Sequence, residues 1–87
     1  MKYVVTIRVM LKRTVLDPQG EAVRKSLAAM GYAGVEAVRV GKHLELVLDA
    51  GDRDEAVRLV DEMCHRLLSN PVIEEYSFTL QGGETGR

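Results

Sequence analysis

The chain has 87 residues, room for one domain and not two. Its 12 basic and 13 acidic residues give a formal net charge of −1, which excludes the strong field that selects for nucleic acid or an anionic membrane. At 46% hydrophobic the chain can bury a core, but so small a domain buries a modest share of its surface, and oligomerisation is a common remedy. Cys64 is the single cysteine, so no internal disulfide forms, in keeping with a reducing compartment. No apolar run approaches the ~20 residues of a membrane span, and the N-terminal residues lack a signal-peptide layout. The expectation is a soluble cytoplasmic protein.

Lys2 to Lys12 alternates. Tyr3, Val5, Ile7, Val9 and Leu11 share one fully apolar face, the pattern of a half-buried strand. The other face mixes Val4 and Met10 with polar residues, and apolar residues there suggest that something covers it. Asp17 suits an N-cap and Pro18 the first helical position, although Gly20 stands where a capping-box Glu would sit. Val23, Leu27 and Met30 then recur with helical spacing up to Gly31. Val35 to Val40 is β-branched enough for a strand, and His43 to Asp49 alternates. The two-residue Gly41-Lys42 link between them predicts a hairpin.

Asp52 and Glu55 form a capping-box pattern. The helix it opens runs to about Leu68, with a broad stripe of Ala56, Val60, Met63 and Leu67 widened by Val57, Cys64 and Leu68. Pro71 prevents its continuation. Val72, Tyr76, Phe78 and Leu80 then share a strand face, interrupted by Glu74, a carboxylate that must find a partner or reach the sheet edge. The order β-α-β-β-α-β predicts an α+β two-layer sandwich: an antiparallel four-stranded sheet with two helices on one face, ferredoxin-like in element order. The domain spans 1–80, and the Gly-rich residues 81–87 read as a flexible tail.

The chemical inventory is sparse. Cys64 and His65 are adjacent on a helix and diverge by ~100°, which argues against joint metal chelation and against a Cys–His catalytic pair. Glu74 and Glu75 are consecutive on a strand and point to opposite faces, unlike a paired acid and base. Gly82-Gly83 precedes no helix, and Gly31-Tyr32-Ala33-Gly34 has neither the Walker lysine nor dinucleotide spacing. No RNA-recognition signature, paired-cysteine loop or acylphosphatase-type arginine loop accompanies the element order, and fold alone supplies no function. Catalytic, cofactor-binding and metal residues are therefore expected to be absent.

Val15-Leu16-Asp17-Pro18-Gln19-Gly20, Gly31-Tyr32, Val38-Arg39-Val40-Gly41-Lys42, Met63-Cys64 and Leu67-Leu68-Ser69-Asn70-Pro71-Val72-Ile73-Glu74-Glu75-Tyr76 together resemble the PurS family. The likeness runs from Met1 to about Leu80. Ser69 departs mildly from the family's small apolar residue, and the Gly-rich tail has no clear counterpart. The resemblance implies a non-catalytic small subunit of phosphoribosylformylglycinamidine synthase, which makes formylglycinamidine ribonucleotide in de novo purine synthesis. It further implies a bridge between a glutaminase subunit, which releases ammonia, and a large synthetase subunit, which uses ATP and magnesium. Self-association as a dimer, in some members a dimer of dimers, is also implied.

The polar residues that a partner can reach at the turns and junctions are Arg39, Lys42, Asn70 and Glu74. A mixed outer sheet face of Val4, Met10 and Val47 suits a subunit interface. The alternative is a small-molecule-binding regulatory module of ferredoxin-like topology, which ligand-dependent stabilisation would reveal.

Overall fold

The computed structural model describes residues 1–82. β1 (Lys2–Leu11), α1 (Pro18–Ala29), β2 (Gly41–Asp49), α2 (Arg53–Met63) and β3 (Glu74–Gly82) follow in order, and α2 ends in a π-helical turn over Cys64–Leu68. The sheet has three antiparallel strands in the order β2-β1-β3, with β1 central.

The alternation of β1 is realised. Tyr3, Val5, Ile7 and Val9 are buried. With Leu44, Leu46 and Leu48 of β2, and Tyr76, Phe78 and Leu80 of β3, they line the face that α2 covers through Ala56, Val60 and Cys64. The helix starts as its sequence specifies: Asp52 accepts the Glu55 N–H at 2.8 Å, and the Glu55 carboxylate reaches back to the Gly51 N–H at 3.1 Å. Its π turn lets the Ser69 N–H and hydroxyl both donate to the Cys64 carbonyl, each at 2.9 Å, which satisfies the helix end inside the core.

The expected four-stranded sheet is corrected to three strands. Residues 35–40 have no regular secondary structure and pair with no strand among the described residues. Gly41-Lys42 makes no hairpin turn, because both residues already lie inside β2, where Gly41 pairs with Met10 and Lys42 with Val9. Gly41 serves close approach instead: a Cβ there would stand 2.1 Å from the Met10 sulfur and 2.5 Å from the Val9 carbonyl oxygen. Upstream of it the ladder is replaced by side chains. The Val40 N–H turns to the Asp17 carboxylate at 3.0 Å, and the Arg39 guanidinium takes the Leu11 carbonyl. A β-branched run supplies strand propensity, but pairing also needs a turn that lays the run along an edge, and Gly41 leads straight into β2 instead.

The expectation of two helices on one face is corrected as well. α1 has sound caps: Asp17 accepts the Gly20 N–H at 2.8 Å. At the other end Gly31, at φ +101°, allows the Tyr32 N–H to reach the Leu27 carbonyl at 2.9 Å. Yet Gly20 is its only buried residue, and Met30 of its apolar stripe is 70% exposed. The molecule is accordingly elongated, with a radius of gyration of 17.0 Å against the roughly 12 Å of a compact domain of this length. β3 continues to Gly82, two residues into the segment expected to be a tail, and 83–87 lie outside the described residues.

Candidate partner interface

One end of the sheet gathers the four residues singled out from the sequence. There β1 ends, β2 and β3 begin, and Leu11 pairs with Glu74. Arg39 lies in the 35–40 segment and donates to the Leu11 carbonyl. Lys42, in β2, sends its ammonium to the Leu68 carbonyl at 3.2 Å and so ties the sheet to the π turn. Asn70 holds the helix-to-strand junction: its side chain accepts the Val72 N–H at 3.2 Å, and its own N–H donates to the Glu74 carboxylate at 2.6 Å. Glu74 thereby has the partner that its place on an apolar face demanded.

Lys42 and Glu74 share a cleft of about 200 Å³ with Leu11 and Asp17. The Gly20 and Val40 N–H groups, helped by the Arg39 charge and opposed by partial desolvation, hold the Asp17 carboxyl below its usual range. Apolar groups frame this end. Leu67 is 83% and Val72 78% exposed on the two sides of the junction.

No group of three or more His, Cys, Asp or Glu is placed to hold a metal among the described residues. Cys64 is buried, and desolvation with the Asp61 charge pushes its thiol up, away from the nucleophilic thiolate. No helix among the described residues is long and apolar enough to cross a membrane.

One polar contact had no signature in the sequence. The Tyr76 hydroxyl donates to Asp61 at 2.6 Å, latching β3 to α2, while its ring stacks on Phe78 and meets His65 edge-on. The two residues are fifteen apart on different elements, so no local spacing announces them. The hydrogen bond to Asp61, then desolvation and the Asp61 charge, push the Tyr76 phenol up to about 12. A raised folded pKa means that the latch contributes fully below the ordinary phenol value near 10 and is lost as pH climbs towards 12. Urea unfolding of the native chain and Tyr76→Phe across about pH 9–12 is expected to show a steeper alkaline loss in the native chain. Parallel curves would remove the latch from the account.

A profile of the family described as PurS, phosphoribosylformylglycinamidine (FGAM) synthase, matches residues 4–82. The chain belongs to the PurS family. It is 49% identical over 79 residues to the phosphoribosylformylglycinamidine synthase subunit PurS of Bacillus subtilis, covering 91% of this chain and 93% of that one. The same subunit of Synechocystis is 49% identical over 74 residues, covering 85% and 74%. Among solved structures, B. subtilis PurS superposes with a TM-score of 0.84 at 49% identity, over 92% of this chain and 99% of that one. A chain of PurLQS from Thermotoga maritima superposes with a TM-score of 0.85 at 31% identity, over 93% and 99%.

Proposed function

We propose that this chain is the non-catalytic bridging subunit of phosphoribosylformylglycinamidine synthase. In this role it holds synthetase and glutaminase together so that ammonia passes between them, in the cytoplasm. Family membership carries the enzyme, and the PurLQS structure of the Thermotoga relative supports assembly with two further subunits. The chemistry belongs to those subunits: ATP and magnesium act on the synthetase, and glutamine is hydrolysed on the glutaminase. What this chain offers is surface.

Two surfaces support the reading. The sheet end with Arg39, Lys42, Asn70 and Glu74, framed by Leu67 and Val72, faces the partner enzymes. The second surface is for a further copy of the chain. On α1 Val23 and Met30 are exposed and Leu27 is only half-buried, and the inner side of β2 leaves Leu44, Leu46 and Leu48 half-buried as well. An amphipathic helix without a layer and a layer without a helix are complementary vacancies.

Reconstitution tests the bridge. With synthetase, glutaminase, ATP, magnesium and formylglycinamide ribonucleotide, glutamine-dependent amidine formation is expected to depend strictly on this chain. Glu74→Ala and Lys42→Ala are expected to weaken assembly while the isolated chain stays folded. Glutamine-dependent turnover unchanged without the chain overturns the role, and unchanged affinity of both variants relocates the contact.

A further inference from the structure

Capping α1 occupies only half of the Asp17 carboxylate. Oδ1 accepts the Gly20 N–H at 2.8 Å, and Oδ2 accepts the Val40 N–H at 3.0 Å, twenty-three positions along the chain. The Glu21 N–H donates to the Asp17 carbonyl at 3.0 Å, so the helix start holds Asp17 from its own side. The two segments that the carboxylate joins cross closely. A Cβ on Gly20 would stand 2.2 Å from the Val38 carbonyl oxygen and 2.7 Å from Asp17 Oδ2. This crossing is where α1 buries its one buried residue, Gly20.

Between Val38 and Val40 lies Arg39. No strand ladder holds this stretch of main chain until β2 begins at Gly41. Two hydrogen bonds locate Arg39 instead. Asp17 pins the N–H of the next residue, Val40, and the guanidinium itself donates to the Leu11 carbonyl. The opposite charges of Asp17 and Arg39 attract each other as well. A guanidinium has five N–H donors, so the bond to Leu11 leaves others to meet a partner.

We infer that Asp17 is a positioning residue for the partner contact and acts through Arg39. The inference rests on the sheet end being the surface that meets the partner enzymes. Its physical basis is preorganisation: a long side chain on an unladdered segment must otherwise be ordered at the moment of binding, at a cost in affinity. The neighbouring contact residues do not depend on Asp17 in this way. Lys42 stands in the ladder opposite Val9, and Asn70 is held by Val72 and Glu74.

Asp17→Asn separates the two halves of the carboxylate. Asn caps a helix as well as Asp does, but its NH2 group cannot accept the Val40 N–H. The Val40 amide is expected to lose protection from hydrogen exchange, while circular dichroism shows α1 retained. The functional readout is the concentration of this chain that gives half-maximal glutamine-dependent turnover, with synthetase, glutaminase, ATP, magnesium and formylglycinamide ribonucleotide. Asp17→Asn should raise it about tenfold. In an Arg39→Ala background the same substitution should add less than about twofold, because the residue it positions is gone. In an Asn70→Ala background the rise of about tenfold should persist, since Asn70 and Asp17 share no hydrogen-bond partner among the described residues. A general loss of stability would add equally in both backgrounds. Asp17→Ser, which caps but carries a single side-chain oxygen, is the second variant and should give the same pattern. No shift with Asp17→Asn, an equal shift in both backgrounds, or native half-saturation in Arg39→Ala overturns the inference and leaves the bridging role standing. Turnover that does not depend on the chain at all overturns both.

Discussion

Replacing Val23 and Leu27 by Asp leaves each chain folded but, in dilute solution, alone. The fold survives because α1 buries only Gly20 against its own chain, so neither substitution reaches the core. Association fails because each side chain, once buried against a second copy, contributes about 1.5–3 kcal/mol. Symmetry counts each substitution twice. Four lost contacts amount to roughly 6 kcal/mol or more, a ~10⁴-fold weakening before the cost of burying carboxylates is added. Sedimentation gives the mass, and far-UV circular dichroism verifies that the sheet and α2 persist. A variant that retains the native mass would show that the α1 stripe is not the self-association surface. A variant that unfolds would show that α1 supports its own chain.

Truncating Ile7 to Ala is expected to have the largest effect on the chain itself. Ile7 is fully buried at the middle of the central strand, between Leu44 on β2 and Phe78 on β3. Deleting three carbons there loses their transfer energy and leaves a cavity that two flanking strands and α2 cannot collapse, about 2–5 kcal/mol. A domain of this length has a total stability of roughly 4–13 kcal/mol, so the variant stands near the unfolding threshold. Urea denaturation measures the difference. A loss under about 1 kcal/mol would place the core elsewhere than on the β1 layer.

The contrast between these two experiments follows from how the chain distributes its apolar residues. The β1–α2 layer is self-sufficient. Among the described residues α1 buries little of itself and residues 35–40 join no strand. That is why a small protein has a radius of gyration of 17.0 Å and is 52 Å long. It also explains why the polar residues at the sheet end are braced by backbone groups before any partner arrives. Arg39, Lys42 and Asn70 each satisfy a main-chain atom that the interrupted ladder or the helix end leaves open.

Local physics made much of this legible in the residues. The alternation of β1, the caps at Asp17 and Asp52, the Gly31 stop, the Pro71 redirection and the family motifs all act over a few positions, and each corresponds to a feature of the structure. The gathering of Arg39, Lys42, Asn70 and Glu74 at one end was foreshadowed only as four turn and junction residues, because their common address depends on strand register. Tertiary structure alone decided the fate of Val35 to Val40. A β-branched run has the same propensity whether or not an edge is available, and strand formation requires hydrogen bonds from another segment. Gly41 looked like a turn because Gly-Lys between two alternating runs fits a hairpin. In the fold it is the point where β2 crosses close over Met10 and leaves its neighbour. The Tyr76–Asp61 latch and the empty layer beside β2 arise in the same way, from long-range placement. A periodic pattern says which face of a helix or strand is apolar, whereas packing decides whether the same chain or another one covers it.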